Sequence, residues 1–190
     1  MDDFLDIEAL KKGSQSAFNS LLSLFSQKVY NLCLRILQNE QDAEDVTQEV
    51  FTTVYLSIHQ FKGDSKLSTW IYRISVNKSQ EFIRKKTRKK RFGFGVPIDK
   101  AESLLEISSN FMHPGFELEN QERGSILLAA INTLPENQKI AFTLFNMDGI
   151  PYEEIAQIMN TSISAVESLL FRARQNLKKK LADYYEENEQ

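Results

Sequence analysis

The sequence is poor in helix breakers and in the residues that staple or metallate small folds. Four prolines and seven glycines are spread over 190 residues. No stretch alternates cleanly between apolar and polar side chains, which argues against a β-rich fold and for an all-α one. The single cysteine, Cys33, excludes an internal disulfide. Its apolar neighbours Val29, Leu32 and Ile36 mark it as a buried thiol in a reducing compartment rather than a nucleophile. His59 and His113, the only histidines, stand far apart, no metal-ligand spacing occurs, and no glycine-rich phosphate loop is present. An enzyme, a metal site and a bound cofactor are therefore not expected. The longest apolar run, 126–131, is far too short to span a bilayer. The acidic start MDDFLDIEAL lacks the basic-then-apolar pattern of a signal peptide. A soluble, cytoplasmic protein is the expectation.

What is present is an uneven charge. The net charge of −3 hides residues 61–91, where eleven basic and two acidic side chains give +9. The flanking stretches 1–60 and 92–124 carry −5 and −4, residues 125–182 carry +1, and the tail 183–190 carries −4. A local potential of this size, not the total, steers a polyanion to a surface.

At 42% hydrophobic residues the chain can build one medium domain or two small helical ones. Phe18, Leu22, Phe25, Val29, Leu32 and Ile36 recur at spacings of three and four and predict an amphipathic helix over 14–37. Ala43, Val46, Val50, Val54 and Ile58 do the same over 40–59, with Asp42, Glu44, Asp45, Gln48 and Glu49 on the opposite face. Gly63, Asp64 and Ser65 make a turn, and a third helix begins at about Leu67, with Trp70, Ile71 and Ile74 as its apolar seam. Periodicity fades from Phe92 to about Gly115, where Gly93, Gly95, Pro97, Pro114 and Gly115 mark a flexible linker. It resumes at 117–133 and, after Pro135, at 136–147, where Asp148 and Gly149 stop it. The organisation predicted is therefore a helical domain over 1–91, a linker over 92–116, and a second helical domain with an acidic tail over 117–190.

Residues 151–181 carry a bipartite pattern. A short helix turns Ile155, Ala156 and Met159 inward, and Ala156 offers the small side chain that two steeply crossing helices need. Asn160 tolerates a left-handed turn, and Ser162 can cap a second helix, on which Val166, Leu170, Ala173, Leu177 and Leu181 face inward. Together these describe a helix-turn-helix. Its second helix would offer Ser164, Ala165, Glu167, Ser168 and Phe171 to base edges, and Arg172, Arg174 and Lys178–Lys180 to phosphates. An αα-hairpin with solvated charges has the same periodicity.

In the first domain, Trp70 and Tyr72 beside Arg73, Asn77 and Lys78 supply what single-stranded DNA needs: π-faces for stacking, an amide for base edges and cations for the backbone. The run 84–91, including Arg84, Lys85, Lys86 and Arg88, suits phosphates. The plainer alternative makes Trp70 and Ile74 core and the basic run a solvated face.

Three blocks, DAEDVTQEVF at 42–51, FKGDSKLSTWIYRISVNKSQEFIR at 61–84 and LPENQKIAFTLFNMDGIPYEEIAQIMNTSISAVESLLFRAR at 134–174, resemble signature blocks of the extracytoplasmic-function (ECF) group of the sigma-70 family. The resemblance covers about residues 10–91 and 117–182. It implies a non-enzymatic transcription factor. The helix with Asp42, Glu44, Asp45, Gln48 and Glu49 would dock on a coiled coil of core RNA polymerase. The turn with Lys62, Asp64 and Ser65, and the helix through Trp70, Arg73, Asn77 and Lys78, would open the downstream promoter box and capture a flipped base. The helix-turn-helix would bind the upstream box as duplex, and an anti-sigma protein is the implied inhibitor.

The sequence departs from the family where relatives often carry basic residues, at Glu167 and Leu169, and at Pro151, where a serine or threonine cap is common. Glu167 can accept from a cytosine amino group or simply favour the positive end of its helix. The weakened reading helix motivates an alternative, a sigma-like decoy that sequesters an anti-sigma protein without binding DNA. The +9 segment opposes it. A simple operator-binding repressor leaves the first 90 residues unexplained.

Overall fold

A computed structural model describes residues 5–91 and 118–188; among these all regular structure is helical. The predicted linker, 92–116, and with it His113, lies outside the described residues. The chain divides into two compact units, one of residues 1–95 with 157–160 and one of 96–156 with 161–190, and each is described by itself.

The first unit begins with a short helix that sequence periodicity does not reveal, α1 (Ile7–Lys11), capped by Asp6, whose carboxylate accepts from the Ala9 N–H at 2.9 Å. Helix α2 (Gln15–Leu37) starts at the Ser14 cap and ends at Gln38 in the left-handed conformation, φ +58°. Helix α3 (Glu40–Ser57) starts where the Asn39 side chain accepts from the Asp42 N–H at 2.9 Å, with Glu40 and Asp42 in the positively polarised first turn. It closes in a tight turn, Ile58–Gln60, rather than running on to His59 as one helix. After a bend at Gly63 (φ +84°, a conformation costly for any residue with a Cβ), α4 runs from Leu67 to Arg91.

Helices α2, α3 and α4 pack pairwise around one core. Leu21, Val29, Leu32 and Ile36 of α2, Ala43, Val46 and Val50 of α3, and Leu67, Ile71 and Val76 of α4 are all at most 1% exposed. Burial of these side chains, each contributing roughly 1.5–3 kcal/mol for the larger ones, holds the acidic face of α3 beside the basic face of α4. Ser75 and Ser79 line the buried side of α4. Ser75 Oγ donates to its own helix at Ile71 O, 3.0 Å, and Ser79 Oγ donates to Cys33 Sγ at 3.7 Å. Small, internally satisfied hydroxyls allow α4 to lie close against α2 without an orphan polar group.

The second unit holds α5 (Leu118–Asn132), α6 (Glu136–Phe142), α7 (Tyr152–Met159) and α8 (Ile163–Asn188). Pro135 stands at the cap position before α6, where its missing N–H costs nothing and its carbonyl accepts from Lys139 at 3.0 Å. The predicted helix 136–147 is not uniform. Its last five residues, Thr143–Met147, widen into a π turn in which the Asp148 N–H reaches back to Thr143 O at 3.2 Å. Gly149, φ +66°, then ends it. Ile140, Leu144, Ile155, Val166, Leu170 and Ala173 form the centre of this unit, each fully buried. In α7 Ile155 and Ala156 are buried as expected, Ile158 is buried as well, and Met159, expected inward, is half-buried.

Candidate nucleic-acid interface

The turn between α7 and α8 is built by three consecutive polar residues. Asn160 takes the left-handed conformation at φ +50°, and the Thr161 N–H closes on Ala156 O at 2.9 Å. Ser162 Oγ accepts from the Ala165 N–H at 3.2 Å and so satisfies an open donor at the start of α8. Ala156, 6% exposed, sits inside the corner. The result is a helix-turn-helix whose second helix buries Val166, Leu170, Ala173 and Leu177 and presents its other side to solvent.

On that outer side Ser164, Glu167, Ser168, Phe171 and Arg172 are exposed and Ala165 is half-buried. Phe171 is 63% exposed, a large apolar surface left open on a helix that could have buried it. Ile163, 43% exposed at the first position of α8, extends the same face. It is not among the residues predicted from sequence, where it counts as one more apolar residue in a periodic run. The two serines are satisfied within the chain: Ser164 Oγ and Ser162 Oγ share a hydrogen bond of 3.0 Å, and Ser168 Oγ donates to Ser164 O at 2.9 Å. Arg174 is exposed, and its guanidinium lies 5.6 Å from the Phe145 ring, which in turn packs on Tyr152 at 4.9 Å. This stacking anchors Arg174 over Phe145 at the solvent side of α8. Lys178, Lys179 and Lys180 are exposed further along.

In the first unit Trp70 is half-buried and packs on Phe61 with ring centroids 5.5 Å apart at 53°. Trp70 thus leans on the buried Phe61 and is itself half-buried. Lys62 and Asp64 are exposed on the preceding turn, and Ser65 Oγ donates to Lys66 O at 3.3 Å. Arg73 and Asn77 succeed Trp70 at spacings of three and four, so all three lie along one side of α4, and Asn77 is exposed. Arg84 and Arg88 are exposed near the end of α4, with Lys89 beside them. At 25 residues α4 is about 37 Å long, enough to track several phosphates.

The structure brings two predicted sets of residues together. Of the α3 residues singled out for docking, Glu44, Asp45, Gln48 and Glu49 are exposed, and the stripe ends on Leu56, 66% exposed. Glu49 Oε2 lies 3.7 Å from Lys78 Nζ, and the Asp42 carboxylate pairs with Lys86. Lys86, expected with Arg84, Lys85 and Arg88 to meet phosphates, is the better-anchored cation, with Phe82 under its ammonium at 5.7 Å. Lys85 pairs within its own helix with Glu81 at 2.9 Å, which raises the lysine pKa and lowers that of the glutamate.

Cys33 is fully buried, and burial pushes its thiol up to about 11, against an opposing contribution from Ser79. A nucleophilic role is therefore disfavoured. Among the described residues no three His, Cys, Asp or Glu side chains converge as a metal site, and no helix is long and apolar enough to cross a membrane.

Comparison with known proteins places both units. Residues 21–89 match the family model for Sigma-70 region 2, and residues 125–177 match that for Sigma-70, region 4. The chain is 34% identical over 186 residues to the ECF RNA polymerase sigma-E factor of Escherichia coli (strain K12), covering 95% of each. It is 33% identical over 178 residues to that of Haemophilus influenzae, covering 92% of this chain and 93% of the relative. The fold is shared with the sigma factor RpoE in complex with the anti-sigma factor NepR from Bartonella quintana (TM-score 0.70, 24% identity, 87% of this chain and 96% of that one). It is also shared with CnrH in complex with the cytosolic domain of CnrY (TM-score 0.68, 20% identity, 93% and 95%).

Proposed function

The chain belongs to the extracytoplasmic-function group of sigma-70 family RNA polymerase sigma factors, and from that premise we propose how its surfaces divide the work of promoter recognition. The chain lends specificity to core RNA polymerase and performs no chemistry of its own. Residues 1–91 act as the region 2 domain, 92–116 as the linker and 117–190 as the region 4 domain. On α3, Glu44, Asp45, Gln48 and Glu49 form the face for polymerase. On the turn and α4, Lys62, Asp64, Ser65, Trp70, Arg73, Asn77, Lys78, Arg84, Lys85 and Arg88 serve the opened downstream box. On α8, Ser164, Glu167, Ser168, Phe171, Arg172 and Arg174 serve the upstream duplex.

The observation that carries this reading is the exposed, capped helix-turn-helix in the same chain as an aromatic and basic α4 whose Arg84 and Arg88 face solvent. A decoy that only captured an inhibitor would need neither. Unstacking a base costs a few kcal/mol, and a surface that stacks it on Trp70 and hydrogen-bonds it through Asn77 recovers that cost only for the right sequence. An anti-sigma protein is a further partner in this reading, as NepR is for the sigma factor RpoE from Bartonella quintana. The site of action is the cytoplasm. Mapping transcription starts in the host with and without this chain tests the proposal: a discrete set of starts should depend on it, and an unchanged map would refute it.

A further inference from the structure

The two ion pairs between α3 and α4 differ in what can reach them. The Asp42 side chain is 18% exposed and its Lys86 partner 34%, so this pair is largely covered. At the other pair the relation is reversed: Glu49 is 55% exposed while Lys78 is 28% exposed. Glu49 thus faces outward on the acidic stripe of α3 and at the same time holds the ammonium of a lysine that neighbours Asn77 on α4. One carboxylate serves two faces. At 3.7 Å and partly exposed, such a pair is weak enough to exchange for a better partner.

We propose that Glu49 is a positioning residue that withholds Lys78 from DNA in the free chain, and that a cationic polymerase surface docking on α3 takes Glu49 and releases the Lys78 ammonium to a phosphate. The inference rests on the reading of α3 as the polymerase face and α4 as the strand-binding face. It makes strand binding conditional on docking through one side chain, with no movement of the helix backbone. A released ammonium adds one phosphate contact, and each such contact on a single strand steepens the salt dependence by about 0.7 in the logarithmic slope. The Asp42–Lys86 pair, being covered, stays closed throughout and keeps α4 in place while Lys78 changes partner.

The test measures binding of a fluorescent single-stranded DNA of mixed sequence to the full chain across a salt series, alone and with saturating core polymerase. In the free chain Lys78→Ala should change little, because the lysine is already occupied. Glu49→Gln should tighten binding about threefold and steepen the slope by about 0.7. The double variant should return to the level of the native chain. With core polymerase present, Lys78→Ala should become costly and flatten the slope by a similar amount. Glu153→Gln removes the same charge from an exposed residue that serves neither surface, and so controls for net charge. The inference is overturned if Glu49→Gln has no effect, if the double variant keeps the gain, if Glu153→Gln gains equally, or if Lys78→Ala is silent with core polymerase. Those results would leave the sigma-factor reading intact. Absence of binding by the native chain in either state would instead remove the strand-binding reading of α4, and this inference with it.

Discussion

The Lys86 ammonium of α4 rests on the Asp42 carboxylate of α3, joining two residues 44 apart in sequence at the place where the basic end of α4 leaves the core. Because this pair is only partly exposed, it belongs between a surface ion pair, worth about 0–1 kcal/mol, and a buried one, costly to break. Asp42→Asn and Lys86→Met should each destabilise the first unit by about 1 kcal/mol, and the double variant should cost less than the two together. Urea unfolding tracked by the fluorescence of Trp70, the only tryptophan, measures this. Full additivity would show that the pair does not couple α3 to α4.

Arg84 and Arg88 are exposed, whereas the neighbouring Lys85 and Lys86 carry ion pairs. Replacing both arginines by alanine should weaken binding of the polymerase-bound chain to the opened promoter strand alike across sequences. Each lost phosphate contact should remove about 0.7 from the logarithmic salt slope. Glu167→Lys should act differently, changing preference at one base pair by about 1–3 kcal/mol. Binding to a set of single-base promoter variants checks both; uniform strengthening by Glu167→Lys would deny that residue a base-reading role.

Lys139 is 9% exposed on α6, and burial lowers its pKa from 10.5 to about 8, with Glu136 opposing the shift. The folded unit therefore holds this proton less tightly than the unfolded chain does. Its stability should rise as pH climbs through about 8, and the gain should be complete near the unfolded value of 10.5. The limiting slope is about 1.4 kcal/mol per pH unit. Lys139→Met should stabilise α6 at neutral pH and flatten the pH dependence. Amide hydrogen exchange of α6 between pH 7 and 9, corrected for intrinsic rates, reads both effects; a native profile already flat would show that burial does not depress this lysine.

The corner of the helix-turn-helix depends on Asn160 at φ +50° and on the Ser162 cap. Asn160→Gly should be nearly neutral, while Asn160→Ala should cost about 1 kcal/mol for placing an ordinary Cβ in the left-handed region. Ser162→Ala should cost about 1 kcal/mol by leaving the Ala165 N–H unpaired. Faster hydrogen exchange confined to the first turn of α8 would report the lost cap.

Long helices with unbroken periodicity, α2, α4 and α8, are legible in the sequence nearly to their ends, because caps such as Ser14 and Ser162 and the turn at Gly63 are local signals. Helix α1 is only five residues long, too short for a period to register. The π turn at Thr143–Met147 is hidden because one extra residue in a turn leaves no mark in a run without glycine or proline. In the candidate site, residue types point to particular faces, but charge totals cannot say which charges meet. The Glu49–Lys78 and Asp42–Lys86 pairs arise from how α3 packs on α4, which periodicity does not encode. The burial of Lys139 is hidden for the same reason: its neighbours in space are not its neighbours in sequence.

Whether this chain directs initiation is read most simply by transcription in a purified system. Core RNA polymerase from the host, this chain and a pool of random-sequence promoters are combined, and the transcripts are sequenced from their starts. Initiation at a defined upstream and downstream box pair is expected only when both proteins are present, and it should be lost when Trp70 and Asn77 are both replaced by alanine. Starts that are unchanged by adding the chain, or that persist in full with the Trp70 and Asn77 variant, would contradict promoter recognition through these surfaces.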